Sequence, residues 1–413
     1  MLRYYYQSLC WQYSSFQQRV ILHFSISSFK EFVMTGMLLK KLIVLFFLGT
    51  VFGAGISTLF DLETTSDSKK SSTEDFNGHA LMSGELARNF ESRYDDDFSL
   101  RQFGLNVWAA FQYSIFKEAQ NGLLIGHQGW LFTSEEFIAN PGGDEALAAN
   151  INFITEASRL LASKNVALIV VLIPSKARLL SGQTGRHQPS LVQQKTYPQV
   201  LNHLQEESVL TVDGLQEMIS HTQPDSLYLR TDTHWTPRAA RLIAFSTAAL
   251  LQREIPDINL RPQAFITERS GSNTIEGDLL SFLPLAPLFE NLMPATETIE
   301  QFQTYPVGDD PFDQAVFDDS VLIIEEALFS PIEPSEVILL GTSFSADRRW
   351  NFEGALKQAL EVDVQNIAVQ GQGPITPMAN FLSDDSALST DLKLVIWEIP
   401  ERYLTVAYPQ TSF

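Results

Sequence analysis

Continuously apolar runs alternate with amphipathic stretches along the chain after residue 140. Four runs lack the alternation of a strand with one solvent face and predict buried strands, at residues 166–173, 209–212, 337–340 and 394–399. A weaker strand is predicted at residues 364–369. The amphipathic stretches predict helices at residues 146–164, 197–207, 237–252 and 352–361. This alternation predicts an α/β fold, a three-layer domain with a mostly parallel sheet covered on both faces.

The N-terminal part of the chain has a different pattern. Residues 42–60 contain no charged residue, and they follow Lys40 and Lys41. About 20 apolar residues span a hydrocarbon core, so we predict a single-pass transmembrane signal anchor over residues 37–60, with the lysines in the cytoplasm. The alternative is a cleaved signal peptide with its cleavage region at residues 53–55, but the apolar run is longer than such peptides need. Both interpretations place the rest of the chain outside the cytoplasm.

The other domain boundaries follow from composition. Residues 1–36 are expected to be a cytoplasmic extension, or a non-native one if the true start is Met34 or Met37. Residues 61–88 are largely polar and predict a flexible linker. A single domain is predicted over residues 89–413. Within it, residues 255–335 are rich in Pro, Asp and Glu and predict an insertion or an active-site surround.

Charge and cysteine content exclude several classes of function. The 413 residues include 49 acidic and 28 basic ones, for a formal net charge of −21. General binding to nucleic acid depends on basic surface, so no nucleic-acid partner is expected. The single cysteine, Cys10, excludes a disulfide framework. The seven histidines lack the spacing of metal ligands, so neither a metal nor another cofactor is expected.

Two short motifs carry the candidate chemistry. Asp232 and His234 stand two residues apart before a predicted helix, and Ser343 follows the strand predicted at residues 337–340. These are the parts of a nucleophilic acyl-transfer site, with serine as nucleophile, histidine as general base and aspartate as its orienting group. The backbone N–H groups of Ser343 and Phe344 are expected to form an oxyanion hole. Either motif alone is more often part of an ordinary loop, turn or helix cap than of a catalytic site.

Five blocks in order resemble the signature of the alginate O-acetyltransferases of the AlgJ/AlgX type. They are residues 129–132, 232–236, 341–352, 371–374 and 397–403. The resemblance implies an SGNH-hydrolase-like fold in which the Asp-x-His element precedes the serine, as it does here. It also implies Ser343 as nucleophile, His234 as general base and Asp232 as its orienter. With a membrane anchor and no room for the carbohydrate-binding module of the AlgX branch, the chain resembles AlgJ more closely.

Basic and aromatic residues beside the motifs are candidates for substrate binding. They are Phe344, Trp235, Arg238, Arg348, Arg349 and Arg402. Guanidinium groups bind carboxylates in a bidentate manner, which suits a uronate polymer, although surface ion pairing is the alternative for any one of them. Lys176 and Arg178 also follow a predicted strand. Of Trp235, Trp350 and Trp397, one is expected to stack on sugar rings. Phe344 departs from the aromatic hydroxyl expected there.

The resulting prediction is O-acetyl transfer to an exported polysaccharide, with alginate implied by the resemblance. A membrane-bound O-acyltransferase is implied as acetyl donor, an anionic polysaccharide as acceptor, and a polysaccharide synthesis and export complex as the setting. The expected location is the inner membrane, with the catalytic domain in the periplasm. Two alternatives stay open: an acetyl or carbohydrate esterase with the same triad, and a non-catalytic polysaccharide-binding subunit.

Overall fold

In a computed structural model of the protein, residues 99–307, 335–384 and 391–409 are described, together with Leu388 and single positions between 41 and 83. The chain forms two compact units, residues 1–105 and 106–413. Within the described ranges, no helix combines the length and apolar character needed to cross a bilayer. Most of residues 37–60, like the segments predicted as extension and linker, lies outside the described residues, so the anchor stays a prediction.

The strands and helices follow the predicted alternation. The strands are β1 (Leu123–Ile125), β2 (Leu131–Thr133), β3 (Ala167–Ile173), β4 (Leu210–Asp213), β5 (Phe265–Ile275), β6 (Glu297–Pro306), β7 (Val337–Leu340), β8 (Gln365–Asn366) and β9 (Leu394–Pro400). The α-helices are α1 (Ser99–Phe111), α2 (Gly143–Ser163), α3 (Lys176–Leu179), α4 (Leu191–Glu206), α5 (Gly214–Ile219), α6 (Pro237–Glu254), α7 (Ser343–Ala346), α8 (Phe352–Leu360) and α9 (Ile375–Ser383).

A five-stranded sheet in the order β4–β3–β9–β7–β8 forms the centre of the domain, and all its strands are parallel. Alternate residues of β3 pack into two different apolar clusters, Ile169 and Val171 with α6 and α8, Val170 and Leu172 with α2, α4 and α9. Both faces of the sheet are therefore covered, which explains why its strands are continuously apolar. The predicted parallel α/β sheet is confirmed.

The predicted fifth strand was too long. Only Gln365–Asn366 forms β8, although the N–H groups of Ile367 and Val369 still donate to the carbonyls of Leu339 and Gly341 at 2.9 and 3.2 Å.

Helix α4 was predicted to begin at residue 197, but it begins at Leu191. Ser190 caps it by accepting a hydrogen bond from the Gln193 N–H. Pro198 lies inside the helix and has no N–H for the Gln194 carbonyl. Arg178 replaces that donor, since its Nη2 lies 3.1 Å from the Gln194 oxygen. The helix therefore contains Pro198 in its interior, whereas the prediction placed this proline at the second residue of the helix.

Part of the predicted insertion, residues 255–307, is described. It contains the antiparallel pair β5–β6, which lies outside the parallel sheet and pairs Phe265 with Pro306 and Ile275 with Glu297. The hairpin contacts α6 and α8. Between its strands the chain forms a 3-10 turn, Asp278–Phe282, whose first residue reaches the candidate site.

Candidate active site

The loop that carries Asp232 and His234 is held at both ends. Trp235 pairs with Tyr228 as an isolated antiparallel bridge, which closes the loop. Thr236 then caps α6 by accepting from the Ala239 N–H, and Pro237 is the first helical residue, as predicted. Because the helix start is fixed in this way, His234 has little freedom to leave its position.

Ser343 lies at the carboxyl edge of the sheet, immediately after β7. The predicted helix after this strand began only at residue 352, but a short additional helix, α7, begins at Ser343 itself. Thr342 caps it, and its Oγ1 accepts from the Phe344 N–H at 3.3 Å. Of the two amides predicted for an oxyanion hole, Phe344 therefore already has an intramolecular acceptor. The Ser343 N–H has none within the described part of the chain.

The structure brings Ser343, His234 and Asp232 together in one hydrogen-bonded line. His234 Nε2 lies 2.7 Å from Ser343 Oγ, and Nδ1 lies 2.6 Å from Asp232 Oδ1. The same carboxylate oxygen accepts the His234 backbone N–H at 2.9 Å. One nitrogen of the imidazole therefore faces the hydroxyl and the other faces the carboxylate, the arrangement in which histidine can take a proton from serine.

Asp232 remains ionised despite being buried. Burial alone would raise the pKa of its carboxyl, but hydrogen bonds from the His234 ring and backbone, together with the Asp278 N–H, hold this pKa below its ordinary value. The charged form is thus available beside His234, where it would stabilise an imidazolium formed during proton transfer.

Aromatic rings fix the plane of the His234 imidazole. Trp350 stacks on it at 5.4 Å between ring centroids, and Phe344 lies at 4.9 Å in a tilted contact. The Trp235 indole N–H donates to the Phe344 carbonyl at 3.2 Å, which ties the histidine loop to α7. All three aromatic residues are buried. Their contacts orient the candidate catalytic groups.

This burial does not fit several predicted contacts with substrate. Trp235 and Phe344 lie in the core, as does Trp397, whose ring contacts Phe153 instead of a sugar-accessible surface. Arg402 is also buried, with its guanidinium 5.6 Å from the Phe344 ring. Each of these four residues adjoins a strand end or a motif in the sequence, but its side chain points into the core.

Asp278 was not predicted as a site residue, yet it is the second carboxylate at the histidine. It accepts the Thr233 N–H at 2.8 Å and the Thr233 hydroxyl at 2.5 Å, and its Oδ2 lies 3.8 Å from His234 Nδ1. Gly277 allows this approach, since a Cβ there would collide with the Thr231 carbonyl. Asp232, His234 and Asp278 present ligand-type atoms within 4.8 Å of one another. Both histidine nitrogens, however, are engaged in the line to Ser343 and Asp232.

Glu398 lies under the serine and has no exposed surface. Its Oε2 accepts the Thr342 N–H at 2.8 Å and the Ser345 hydroxyl at 3.0 Å, so one carboxyl holds residues on both sides of Ser343. Gly341 is required for this contact, because a Cβ there would collide with the carboxyl. Burial raises the pKa of Glu398 to about 7, although these hydrogen bonds oppose the rise.

The raised pKa of Glu398 predicts a pH-dependent stability. The folded protein holds this proton more tightly than the unfolded chain, so the free energy of unfolding should fall between pH 4.5 and about 7. The expected loss from this group is roughly 3 kcal/mol. Urea unfolding across this pH range would be measured for the wild-type chain and for Glu398→Gln. The difference between the two curves gives the contribution of Glu398, because glutamine does not titrate. Parallel curves for the two proteins would contradict the assignment.

Lys176 is a second buried ionisable residue, and it hydrogen-bonds the backbone of the loop that carries Asp232. Its Nζ donates to the carbonyls of Leu131, Arg230 and Asp232 at 2.6, 3.0 and 3.0 Å, which uses all three of its protons. Burial lowers the pKa of Lys176 to about 8, against the opposing effect of Glu136. A role for Lys176 in substrate binding does not fit this buried position. The same holds for Arg178, which is paired with Glu401.

The exposed arginines of the prediction lie along two grooves. Arg348 and Arg349 line one of about 520 Å³ between α7, α8 and the β5–β6 hairpin, together with Tyr305 and Lys357. Arg349 is paired with Asp347, and that hydrogen bond raises the pKa of its guanidinium, with smaller contributions from Asp232 and Asp278. Arg238 lines a separate groove of about 560 Å³ beside the start of α6.

A parallel α/β sheet with serine, histidine and aspartate gathered at its carboxyl edge is the architecture of SGNH hydrolase-like proteins. Residues 123–401 match the family model described as "SGNH hydrolase-like domain, acetyltransferase AlgX". The chain belongs to this acetyltransferase family, as the resemblance of its sequence blocks implied.

Several proteins that are similar to this chain are named AlgJ. The "probable alginate O-acetylase AlgJ" of Pseudomonas aeruginosa is 38% identical over 335 residues, covering 81% of this chain and 83% of that protein. The Azotobacter vinelandii protein of the same name is 35% identical over 342 residues, covering 81% and 82%. The solved O-acetyltransferase domain of Pseudomonas putida AlgJ is 33% identical with a TM-score of 0.61, covering 71% of this chain and 95% of that one.

Proposed function

We propose that the protein transfers acetyl groups to hydroxyls of an exported anionic polysaccharide, with Ser343 as the acyl carrier. The observation that carries this proposal is the line from Ser343 through His234 to Asp232, with contacts of 2.7 and 2.6 Å. The relatives named alginate O-acetylase make alginate the candidate polymer. The proposed location is the periplasmic side of the inner membrane, within a polysaccharide synthesis and export complex.

In the first half-reaction, the Ser343 Oγ attacks the carbonyl carbon of the acetyl donor while His234 Nε2 takes the serine proton. The tetrahedral intermediate collapses, the bond to the donor oxygen breaks, and His234 returns the proton to that oxygen. Acetyl-serine remains. The proposed backbone donor to the oxyanion is the Ser343 N–H, which has no intramolecular acceptor within the described residues. The proposed donor is a membrane-bound O-acyltransferase that carries an acetyl ester.

In the second half-reaction, a sugar hydroxyl gives its proton to His234 Nε2 and attacks the acetyl-serine carbonyl. The bond from Ser343 Oγ to the acetyl carbon breaks, and the serine oxygen regains a proton from His234. Asp232 stabilises the imidazolium in both halves. The groove lined by Arg348, Arg349 and Lys357 starts at the same helix as Ser343. Arg349 and Lys357 are paired with Asp347 and Glu353, so Arg348 is the guanidinium proposed to bind a carboxylate of a uronate chain.

A transfer assay tests this function. The full chain would be incubated with p-nitrophenyl acetate and a defined oligomannuronate, and both the acetylated sugar and free acetate would be measured. Acetylated oligosaccharide with little free acetate is the expected result. Free acetate without a sugar product would show that water is the acceptor and that the protein is an esterase.

The groove arginines provide a prediction for the acceptor side. Arg348→Ala removes an exposed guanidinium that makes no ion pair within the described residues, so it should raise the KM for oligomannuronate without changing kcat. The expected rise is about fivefold at low salt, the effect of one exposed charge. Arg253→Ala, at the far end of α6, is the matched control. An equal rise in both variants would show that only net charge matters.

A further inference from the structure

Lys176 lies just past the carboxyl end of β3, as the first residue of α3, and only 1% of it is exposed. Glu136 fixes the start of this helix, since its carboxylate accepts the Lys176 and Ala177 N–H groups at 3.3 and 2.8 Å. The rings of Trp130 and Phe132 each have their centroid 5.2 Å from Nζ. Such contacts between a cation and aromatic rings offset part of the cost of burying the charge.

The three hydrogen bonds of this ammonium group join two separate parts of the chain. The Leu131 carbonyl belongs to β2, and the carbonyls of Arg230 and Asp232 belong to the loop that carries the candidate catalytic pair. The Leu131 N–H also donates to the Arg230 carbonyl at 2.9 Å, so the loop meets the strand at this point. Without the ammonium group, three carbonyls inside the protein would lose a charged donor.

Asp232 connects this contact to the chemistry. Its carbonyl accepts from Lys176, and its carboxylate oxygen Oδ1 lies 2.6 Å from His234 Nδ1. Other bonds of the loop go to the carboxylates of Glu297 and Asp278, both in residues 255–307. Lys176 ties the same loop to β2 and to the end of β3, so it sets where the Asp232 backbone lies relative to the sheet that carries Ser343.

Charged and titratable groups surround the ammonium group. Burial lowers the pKa of Lys176 to about 8, and the carboxylates that face it oppose this fall, those of Glu136, Glu297, Asp232 and Asp278. The Arg230 guanidinium lies over the same Trp130 ring at 5.5 Å. Burial raises the pKa of the Tyr228 hydroxyl, which donates to the Pro174 carbonyl, well above its ordinary value. Lys176 is therefore a buried base that changes charge near pH 8.

We propose that Lys176 is a positioning residue for acyl transfer, whose ammonium group holds the Arg230 and Asp232 carbonyls against β2 and so keeps the Asp232 carboxylate in line with His234. This inference rests on the proposed acyl transfer. A neutral amine has two N–H donors for three carbonyls, and its lone pair would face the third oxygen. The reaction therefore needs the protonated form, and kcat should fall as the pH rises through the pKa of Lys176.

The pH dependence of kcat tests this role. Transfer of acetyl to oligomannuronate by the full chain would be measured across neutral and alkaline pH, with the uncatalysed reaction subtracted. The expected midpoint of the fall is near pH 8. In Glu136→Gln an amide oxygen still accepts the N–H groups of α3, but the negative charge that stabilises the ammonium is gone. The midpoint should then move to lower pH by roughly one pH unit, which a merely structural lysine would not cause.

Lys176→Met keeps a long side chain without charge or donors. It should lower kcat by roughly 10²-fold, the cost of a small misplacement of catalytic groups, with little change in the KM for oligomannuronate. Its remaining activity should no longer fall near pH 8. Lys393→Met is the matched control, because Lys393 also donates to a backbone carbonyl, that of Asn259, but directly precedes β9 at the opposite edge of the sheet. This control should keep both kcat and the alkaline fall.

Deuterium exchange gives a readout that does not depend on catalysis. The N–H groups of Arg230, Thr231, Thr233 and His234 all donate to carboxylates, so a peptide that spans them exchanges slowly while the loop is held. Exchange should be at least about tenfold faster in Lys176→Met and unchanged in Lys393→Met and Ser343→Ala. If wild type made no acetylated sugar, acyl transfer would fail as the function, while the exchange would still show whether Lys176 holds the loop.

Wild-type kcat in Lys176→Met, or an alkaline fall that stays in place in Glu136→Gln, would overturn the proposal. So would equal losses of kcat and equal gains in exchange for Lys176→Met and Lys393→Met, since these would indicate general destabilisation. If Lys176→Met does not fold, the comparison of wild type with Glu136→Gln decides, because both proteins keep the lysine.

Discussion

Replacing Ser343 with alanine is expected to lower acetyl transfer by roughly 10³- to 10⁶-fold, the range seen when a serine nucleophile is removed from such a site. The loss should appear in kcat, since the variant can still bind both substrates but has no atom to carry the acetyl group. The Ser343 hydroxyl is partly exposed and bonds only to His234 within the described structure, so the variant should fold normally. Acetylated oligomannuronate, measured by mass spectrometry, is the readout.

Ser345→Ala is the matched comparison, because Ser345 lies two residues along the same helix and points to Glu398 instead of His234. It removes one of several hydrogen bonds to that carboxyl and should reduce activity by less than about tenfold. Comparable losses at Ser343 and Ser345 would indicate that both changes act by disturbing α7. The assignment of Ser343 as nucleophile would then fail.

Asp232→Asn is expected to reduce kcat by about 10⁴-fold while leaving the fold intact. The amide oxygen can still accept the two hydrogen bonds that Asp232 Oδ1 accepts from the His234 backbone N–H and ring, so the imidazole keeps its place. The neutral amide, however, no longer stabilises the imidazolium that forms when Nε2, 2.7 Å from Ser343 Oγ, takes the serine proton. Steady-state kinetics of the purified full chain, alongside wild type, measures the effect.

Asp278→Asn is the control for this prediction, because the Asp278 carboxylate oxygen Oδ2 lies 3.8 Å from His234 Nδ1, the nitrogen that faces Asp232. The Asp278 carboxylate accepts hydrogen bonds from the Thr233 N–H and hydroxyl and so positions the loop beside His234. Loss of this carboxylate should reduce kcat by about tenfold. A larger loss for Asp278→Asn than for Asp232→Asn would reverse the assignment and make Asp278 the group that orients His234.

The central sheet could be predicted because its signal is local. Each strand buried on both faces is a continuous apolar run, and this pattern is visible without knowledge of strand order. The predicted start of helix α4, residue 197, was six residues too late; proline is favoured in the first helical turn and disfavoured in a helix interior, but Pro198 lies in the interior. The side chain that compensates for it, Arg178, is distant in sequence and becomes visible only in the fold.

The Asp232, His234 and Ser343 positions could be predicted for a similar reason. The first two share one loop, and the serine follows a strand end, so residue spacing and the edge of the sheet place them together. The sequence does not indicate whether the side chains next to these motifs point into the site or into the core. Trp235, Phe344 and Arg402 adjoin the motifs but point into the core, where they support the histidine and α7.

Asp278 and Glu398 show two different limits of sequence reasoning. Asp278 comes from an irregular stretch and reaches Thr233 only through the path of the chain. Glu398 did carry a signal, since an acid inside a continuously apolar strand must find hydrogen-bond donors when it is buried. That rule predicts a buried partner for Glu398 without identifying the serine loop as the partner.

The most direct test of the proposed mechanism is capture of acetyl-serine. The full chain would be mixed with p-nitrophenyl acetate, quenched in acid during turnover and digested, and the peptide that contains Ser343 would be weighed. The mechanism predicts a peptide heavier by one acetyl group in wild type and unmodified in Ser343→Ala, with the label passing to oligomannuronate when acceptor is added. An unmodified wild-type peptide, together with unchanged polymer acetylation in Ser343→Ala, would contradict it.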